Sequence, residues 1–169
     1  MIIDGNHSVD IRQARWRTVF TFPVGTIVPK GRTNEWYKAI TSAAGSVKER
    51  FGCYAWGDHA AIHYCGSFAQ DYKRGFDTNL QGRVHQYPQN HRMKANGEKN
   101  TNLQVFEHIN SALKETAVSL YLLEFETLRI DEETVDFATY TTDPELVRTV
   151  EQLLTCIYRR RGQCSWNRK

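Results

Sequence analysis

The stretch from Gly52 to Phe68, GCYAWGDHAAIHYCGSF, constrains the fold of this chain more than any other. Two β-prone segments flank Gly57-Asp58, a pair that favours a tight turn, so the stretch predicts a β-hairpin. The flanking sequence supplies further strands and helices. Trp16, Thr18, Phe20 and Phe22 alternate through RWRTVFTFP and predict a strand ending at Pro23. Asn34 is placed to cap a helix through Trp36, Ile40 and Ala43 that stops near Gly45. Asp77 or Thr78 is expected to cap another through Leu80, Val84 and Tyr87, stopped by Pro88. Thr101 or Asn102 opens a third, with Leu103, Phe106, Ile109 and Leu113 on one side. Val118 to Ile130 is expected as one strand and Val135 to Tyr140 as the next.

The final helix carries the clearest signals. Asp143 suits the N-cap, Pro144 the first helical position, and Gly162 the residue just past the end. Leu146, Val150, Leu153, Leu154 and Ile157 form its apolar stripe, with Glu151 at the border of that stripe. Together these elements predict an α/β protein of the α+β kind, with a small, mainly antiparallel sheet flanked by helices. The polar, basic stretch from Pro88 to Asn102 reads as a long loop, which in a compact domain is usually functional or disordered.

Composition narrows the class. The chain has 169 residues and 40% apolar content, enough for one domain that buries roughly 70% of its unfolded surface. Its longest nearly apolar run, Val118 to Phe125, contains Ser119 and Glu124 and falls far short of the ~20 residues of a bilayer span. The N-terminal sequence lacks the apolar core of a signal peptide, so a cytoplasmic protein is expected. Cys53, Cys65, Cys156 and Cys164 show no CxxC spacing and are expected as reduced thiols, the first two in the core. The net charge is only +3, but it is unevenly spread. Between Lys73 and Lys99 there are six Lys and Arg residues against Asp77 and Glu98, and arginines cluster again at 159–161. Such a bias suits a polyanion such as nucleic acid, with ordinary solvated surface as the alternative.

Gly52-Cys53-Tyr54 followed by Tyr64-Cys65-Gly66 resembles the paired motif of the GIY-YIG nuclease superfamily, with cysteine replacing isoleucine in both halves. The ten-residue offset between Tyr54 and Tyr64 is typical of that hairpin. The superfamily continues with a helical Arg-x3-His or Arg-x3-Tyr, a glutamate on a later helix and a terminal asparagine. Here Arg83 to Tyr87, Glu151 and Asn167 follow in that order. The resemblance covers about residues 52–167. It leaves 1–51 as an N-terminal extension packed on the core and contributing DNA contacts, and 52–169 as a catalytic domain with inserted loops.

The resemblance implies a divalent-metal-dependent DNA endonuclease with Tyr54, Tyr64, Lys73, Arg83, Tyr87, Glu151 and Asn167 in its active site. Phosphodiester hydrolysis needs a polarised phosphate, an activated water and a stabilised leaving oxygen. Glu151 is the expected ligand of one Mg²⁺, for which Mn²⁺ can substitute, because this ion keeps most of its own waters. Arg83 offers a planar guanidinium to the scissile phosphate and shares a helix face with Tyr87. Tyr64 is expected as the base and Tyr54 as its hydrogen-bonding support. A phenol with pKa near 10 would need a nearby cation for that, supplied by the metal or Lys73. Lys73 is also a second phosphate contact, and Asn167 an anchor for Glu151 or the phosphate.

Arg74 is the alternative to Arg83, being ten residues after Tyr64, but its x3 partner is Thr78 rather than His or Tyr. His85 points to another side of its helix. Arg74, Arg92, Lys94 and Lys99 are expected to contact DNA. The compact plan resembles the type II restriction enzymes of the superfamily, which implies site-specific cleavage of double-stranded DNA by a homodimer. A phage or repair nuclease of low sequence specificity and a catalytically silent nucleic-acid-binding domain are the alternatives. No P-loop, nucleotide-binding Gly-rich turn, Glu-x-Lys carboxylate pair, His-Asn-His motif or metal-binding cysteine cluster is found.

Overall fold

The computed structural model describes residues 2–4, 7–29, 34–71, 76–87, 101–130 and 133–167. The chain opens with β1 (Ile2–Asp4), β2 (His7–Arg12) and β3 (Arg15–Phe22), then α1 (Glu35–Gly45). The hairpin strands β4 (Phe51–Gly57) and β5 (Ile62–Asp71) follow, with β6 (Phe76–Thr78), α2 (Leu80–Gln86) and α3 (Thr101–Ala112). The last third holds β7 (Val118–Glu124), β8 (Thr127–Ile130), β9 (Glu133–Asp136), α4 (Phe137–Tyr140) and α5 (Pro144–Arg160). Two antiparallel sheets result, one ordered β3-β7-β4-β5-β6 and the other β1-β2-β8-β9. The fold is α+β, with helices on both faces of the five-stranded sheet.

Local chemistry places most of the elements. The Asn34 side chain accepts from the Tyr37 amide at 2.7 Å and starts α1. The Asp58 carboxylate accepts from the amides of Ala60 and Ala61 and closes the β4–β5 turn. Asp143 caps α5 as expected, and Gly162 turns the chain out of it at φ +73°.

Three expectations are corrected. The cap of α2 is Asn79, because residues 76–78 pair with β5 as strand β6. The apolar run from Val118 to Ile130 is two strands in different sheets, divided after Glu124, with Phe125 buried against Phe137 and Tyr140. The second expected strand ends at Asp136, whose carboxylate caps a helical turn at the Thr139 amide. Residues 1–51 are not set apart from the rest: β3 pairs with β7 in the hairpin's own sheet, and β2 pairs with β8. The predicted loop from Pro88 lies outside the described residues up to residue 100, and Thr101 and Asn102 already belong to α3.

Strand alternation sorts the core into two sides. Tyr54, Trp56, Tyr64 and Phe68 face α1, α2 and α3, together with Leu120 and Leu122 of β7. Cys53, Ala55 and Cys65 face the other way, against Val147, Val150 and Leu154 of α5. Both motif glycines are required by cross-strand rings. Gly52 lies opposite Phe68 and Gly66 opposite Tyr54. A methyl group on Gly66 would stand 2.7 Å from Cζ and Oη of Tyr54, and one on Gly52 2.8 Å from Cζ of Phe68. Gly66→Ala is therefore expected to cost about 1–3 kcal/mol, the usual penalty for overpacking a core. Urea titration should show a lower midpoint with an unchanged slope. A midpoint equal to wild type would mean that the Tyr54 ring has room to move.

Candidate active site

The site is built on one stretch of strand edge that no neighbouring strand covers among the described residues. On the side away from β4, β5 meets β6 only from Ala69 to Asp71. The edge from Ile62 to Phe68 therefore needs other partners, because unpaired buried backbone groups are costly. The segment after α5 supplies the first ones. The Cys164 amide donates to the Ile62 carbonyl at 2.8 Å and the Trp166 amide to the His63 carbonyl at 3.0 Å. Asn167 then mimics a strand residue with its side chain. Its Oδ1 accepts from the Cys65 amide at 2.9 Å, and its Nδ2 donates to the Cys65 carbonyl at 2.8 Å. Trp166 is stacked between His63 and His108, with ring centroids at 4.9 and 5.5 Å, and this pins the segment in place. Two residues further along β5, Arg83 takes over: its Nε donates to the Ser67 carbonyl at 2.9 Å.

Ser67 is where the two faces of the sheet meet. Arg83 comes from α2 on the tyrosine side. Strand alternation turns the Ser67 side chain to the opposite side, where its hydroxyl donates to Oε2 of Glu151 on α5. One residue thus holds a cation by its carbonyl and a carboxylate by its hydroxyl. Glu151 lies at the border of the buried stripe of α5, half-buried, one turn beyond the fully buried Val147 and next to the fully buried Val150. Burial drives its carboxyl above the usual range, while the Ser67 hydrogen bond and the charges of Arg83 and Arg148 pull it back in part. Burial opposes the charge on the Arg83 guanidinium, but the anionic groups it faces raise its proton affinity overall, and it stays charged.

Tyr54 and Tyr64 do project together, with ring centroids 6.1 Å apart. The Tyr54 hydroxyl is hydrogen-bonded to that of Tyr87 at 2.5 Å and also interacts with the Tyr64 hydroxyl. Burial pushes all three phenols upward, and for Tyr54 the Arg83 charge offsets this in part. At neutral pH all three are therefore uncharged hydroxyls. Tyr64 is the most accessible of them, at 9%. His85 turns away, its ring against Tyr37. Lys73, Arg74, Arg92, Lys94 and Lys99 lie outside the described residues.

The structure therefore brings Tyr54, Tyr64, Arg83 and Tyr87 together on one face and Glu151 and Asn167 on the other, meeting at Ser67. Ser67 was not singled out from the sequence. The available signal was its place in β5, two residues from Cys65 and so on the α5 side. Glu151 and Asn167 share an open cleft of about 510 Å³ with Thr155, Cys156, Arg159 and Arg160. On the tyrosine side, the cavity beside Trp56 and Tyr87 is only about 30 Å³, room for water but not for a substrate. Among the described residues, no three His, Cys, Asp or Glu side chains cluster as metal ligands. Glu151 can still serve a Mg²⁺ ion, which needs few protein oxygens: only its Oε2 is engaged by a described residue. No protein-family profile, curated protein or solved structure matches this chain.

The buried carboxyl gives a pH test of the site. Glu151 holds its proton to higher pH in the folded chain than in the unfolded one. Stability then falls as pH rises from the ordinary value of 4.5 through the raised one. In metal-free buffer, Glu151→Gln should melt above wild type at pH 7, and the gap should close below about pH 4.5. A variant less stable than wild type at pH 7 would show that attraction to Arg83 outweighs burial.

Proposed function

We propose that this chain is a divalent-metal-dependent endonuclease of the GIY-YIG type that hydrolyses phosphodiester bonds in double-stranded DNA. The reading includes site-specific cleavage in the manner of type II restriction enzymes, by a homodimer whose twofold axis matches a palindromic site. The observation that carries it is the convergence of Arg83 and Glu151 on Ser67 from opposite faces of the sheet. A guanidinium and a carboxylate brought to one point beside an open cleft meet the two main demands of phosphate hydrolysis. One group balances charge on the phosphate, and the other can hold a hard cation.

Each residue then has a task. Fixing Nε of Arg83 sets the plane of its guanidinium, and the Nη groups present paired N–H donors of the kind a phosphate accepts. Glu151 would hold the ion, which when bound polarises the phosphate and acidifies a water. Tyr64 orients the attacking water, while Tyr54 is locked by Tyr87 and supports it. Asn167 fixes the strand edge at Cys65, so its amide acts through the position of β5.

A catalytically silent nucleic-acid-binding domain is favoured by a single observation, that no group of three His, Cys, Asp or Glu side chains suited to a metal ion forms among the described residues. A Mg²⁺-dependent cleavage assay on supercoiled and linear DNA separates the two. Wild type should cut, with ends at one short sequence, and scattered ends would indicate low specificity. Glu151→Gln should leave DNA binding intact and nearly abolish cutting. Arg83→Ala should lose about 10²-fold or more in single-turnover rate, as for loss of a preorganised donor, with circular dichroism confirming that the variant folds. Wild-type rates from folded Glu151→Gln would overturn the reading.

A further inference from the structure

We propose that the open cleft along the C-terminal half of α5 seats the phosphate backbone of DNA beside the reacting centre, with Arg159 and Arg160 as its contacts. This rests on the nuclease reading of Glu151. Steps of four residues along α5 carry Glu151 to Thr155 and Arg159, with Cys156 and Arg160 beside them. All five line the same cleft of about 510 Å³, in which Glu151 is the only acidic lining residue among the described residues.

The two arginines are exposed, and neither forms an ion pair with a described residue. Three exposed arginines elsewhere do: Arg15 and Arg17 are bound to Glu124, and Arg148 to Glu145. The negative end of the helix dipole favours cations in the last turn but does not require an open cleft leading to a carboxylate. Eight residues at the helical rise put Arg159 about 12 Å beyond Glu151. Phosphates recur about every 3.4 Å along the axis for each strand. A strand lying along α5 with its reacting phosphate at Glu151 therefore brings phosphates about three or four nucleotides away to the arginines. Cys156, in the same cleft, is the exposed cysteine of the chain, and Cys53, Cys65 and Cys164 are buried.

That cysteine makes the cleft testable without any cutting. Wild-type protein in EDTA is titrated with a fluorescein-labelled DNA duplex by anisotropy across a salt series, and Cys156 is labelled with N-ethylmaleimide in parallel. Saturating duplex should slow Cys156 labelling at least fivefold. The Arg159→Ala, Arg160→Ala double variant should bind more weakly, with a log–log salt slope shallower by about 2, near 0.9 for each phosphate that an arginine no longer neutralises. The inference is overturned by an unchanged slope and affinity in the double variant, by unchanged labelling under saturating duplex, or by no duplex binding at all. It is also overturned if poly-glutamate protects Cys156 and duplex does not, which would make the cleft a site for acidic protein. These outcomes are independent of the Mg²⁺ cleavage test. Strong duplex binding with Cys156 unprotected leaves the nuclease reading in place and moves the DNA elsewhere.

Discussion

The unpaired edge of β5 is the constraint on which the rest of the site depends. From Ile62 to Phe68 this strand has β4 on one side and, among the described residues, no strand on the other, so its outward backbone groups must be met by something else. They are met in order by the segment after α5, by the Asn167 amide, by Arg83 and then by β6. The edge thus draws a residue of α2 and the end of the chain to one line. The side chain at Ser67 adds α5 through Glu151. Arg83 and Asn167 both serve as edge partners, and in Arg83 a strand-edge role leaves other N–H groups for a ligand. Arg83 uses one N–H for the edge and keeps its fork for a ligand.

The second constraint is close packing under the tyrosines. Tyr54 lies flat enough over Gly66 that no side chain fits there, and its hydroxyl ends on Tyr87. This fixes α2 against the hairpin and so sets where Arg83 emerges. The same burial keeps the three phenols protonated and raises the Glu151 carboxyl. A carboxylate placed among Val147, Val150 and Leu154 is a poor choice for stability alone. A bound cation would reverse that cost, as expected of a group held in readiness for a ligand.

Local signals in the sequence were read well, and non-local ones poorly. The hairpin, the Asn34 and Asp143 caps and the Gly162 exit each depend on a few neighbouring residues, and each forms as the sequence predicts. Residues 118–130 read as one strand because apolar content continues through Phe125, while β7 joins its sheet through β3 and β4, more than 60 residues away, and β8 joins another through β2 as well as its neighbour β9. The same holds at the site. Tyr54, Tyr64, Arg83, Tyr87, Glu151 and Asn167 were legible through a motif order. Ser67 was not, because its importance lies in what its two oxygens touch, and those partners come from α2 and α5.

The central claim is that groups from opposite faces of the sheet form one metal-dependent site at Ser67. Paramagnetic broadening by Mn²⁺ in NMR spectra tests it most directly, in the absence of DNA and without reference to cutting. Titrating Mn²⁺ into the wild-type protein should broaden signals on both faces together, including the Arg83 Nε–H, the Tyr64 ring and the Glu151 amide, while β9 stays sharp. In Glu151→Gln the same titration should leave all three sharp. Broadening confined to the α5 face, or equal broadening in Glu151→Gln, would contradict the account.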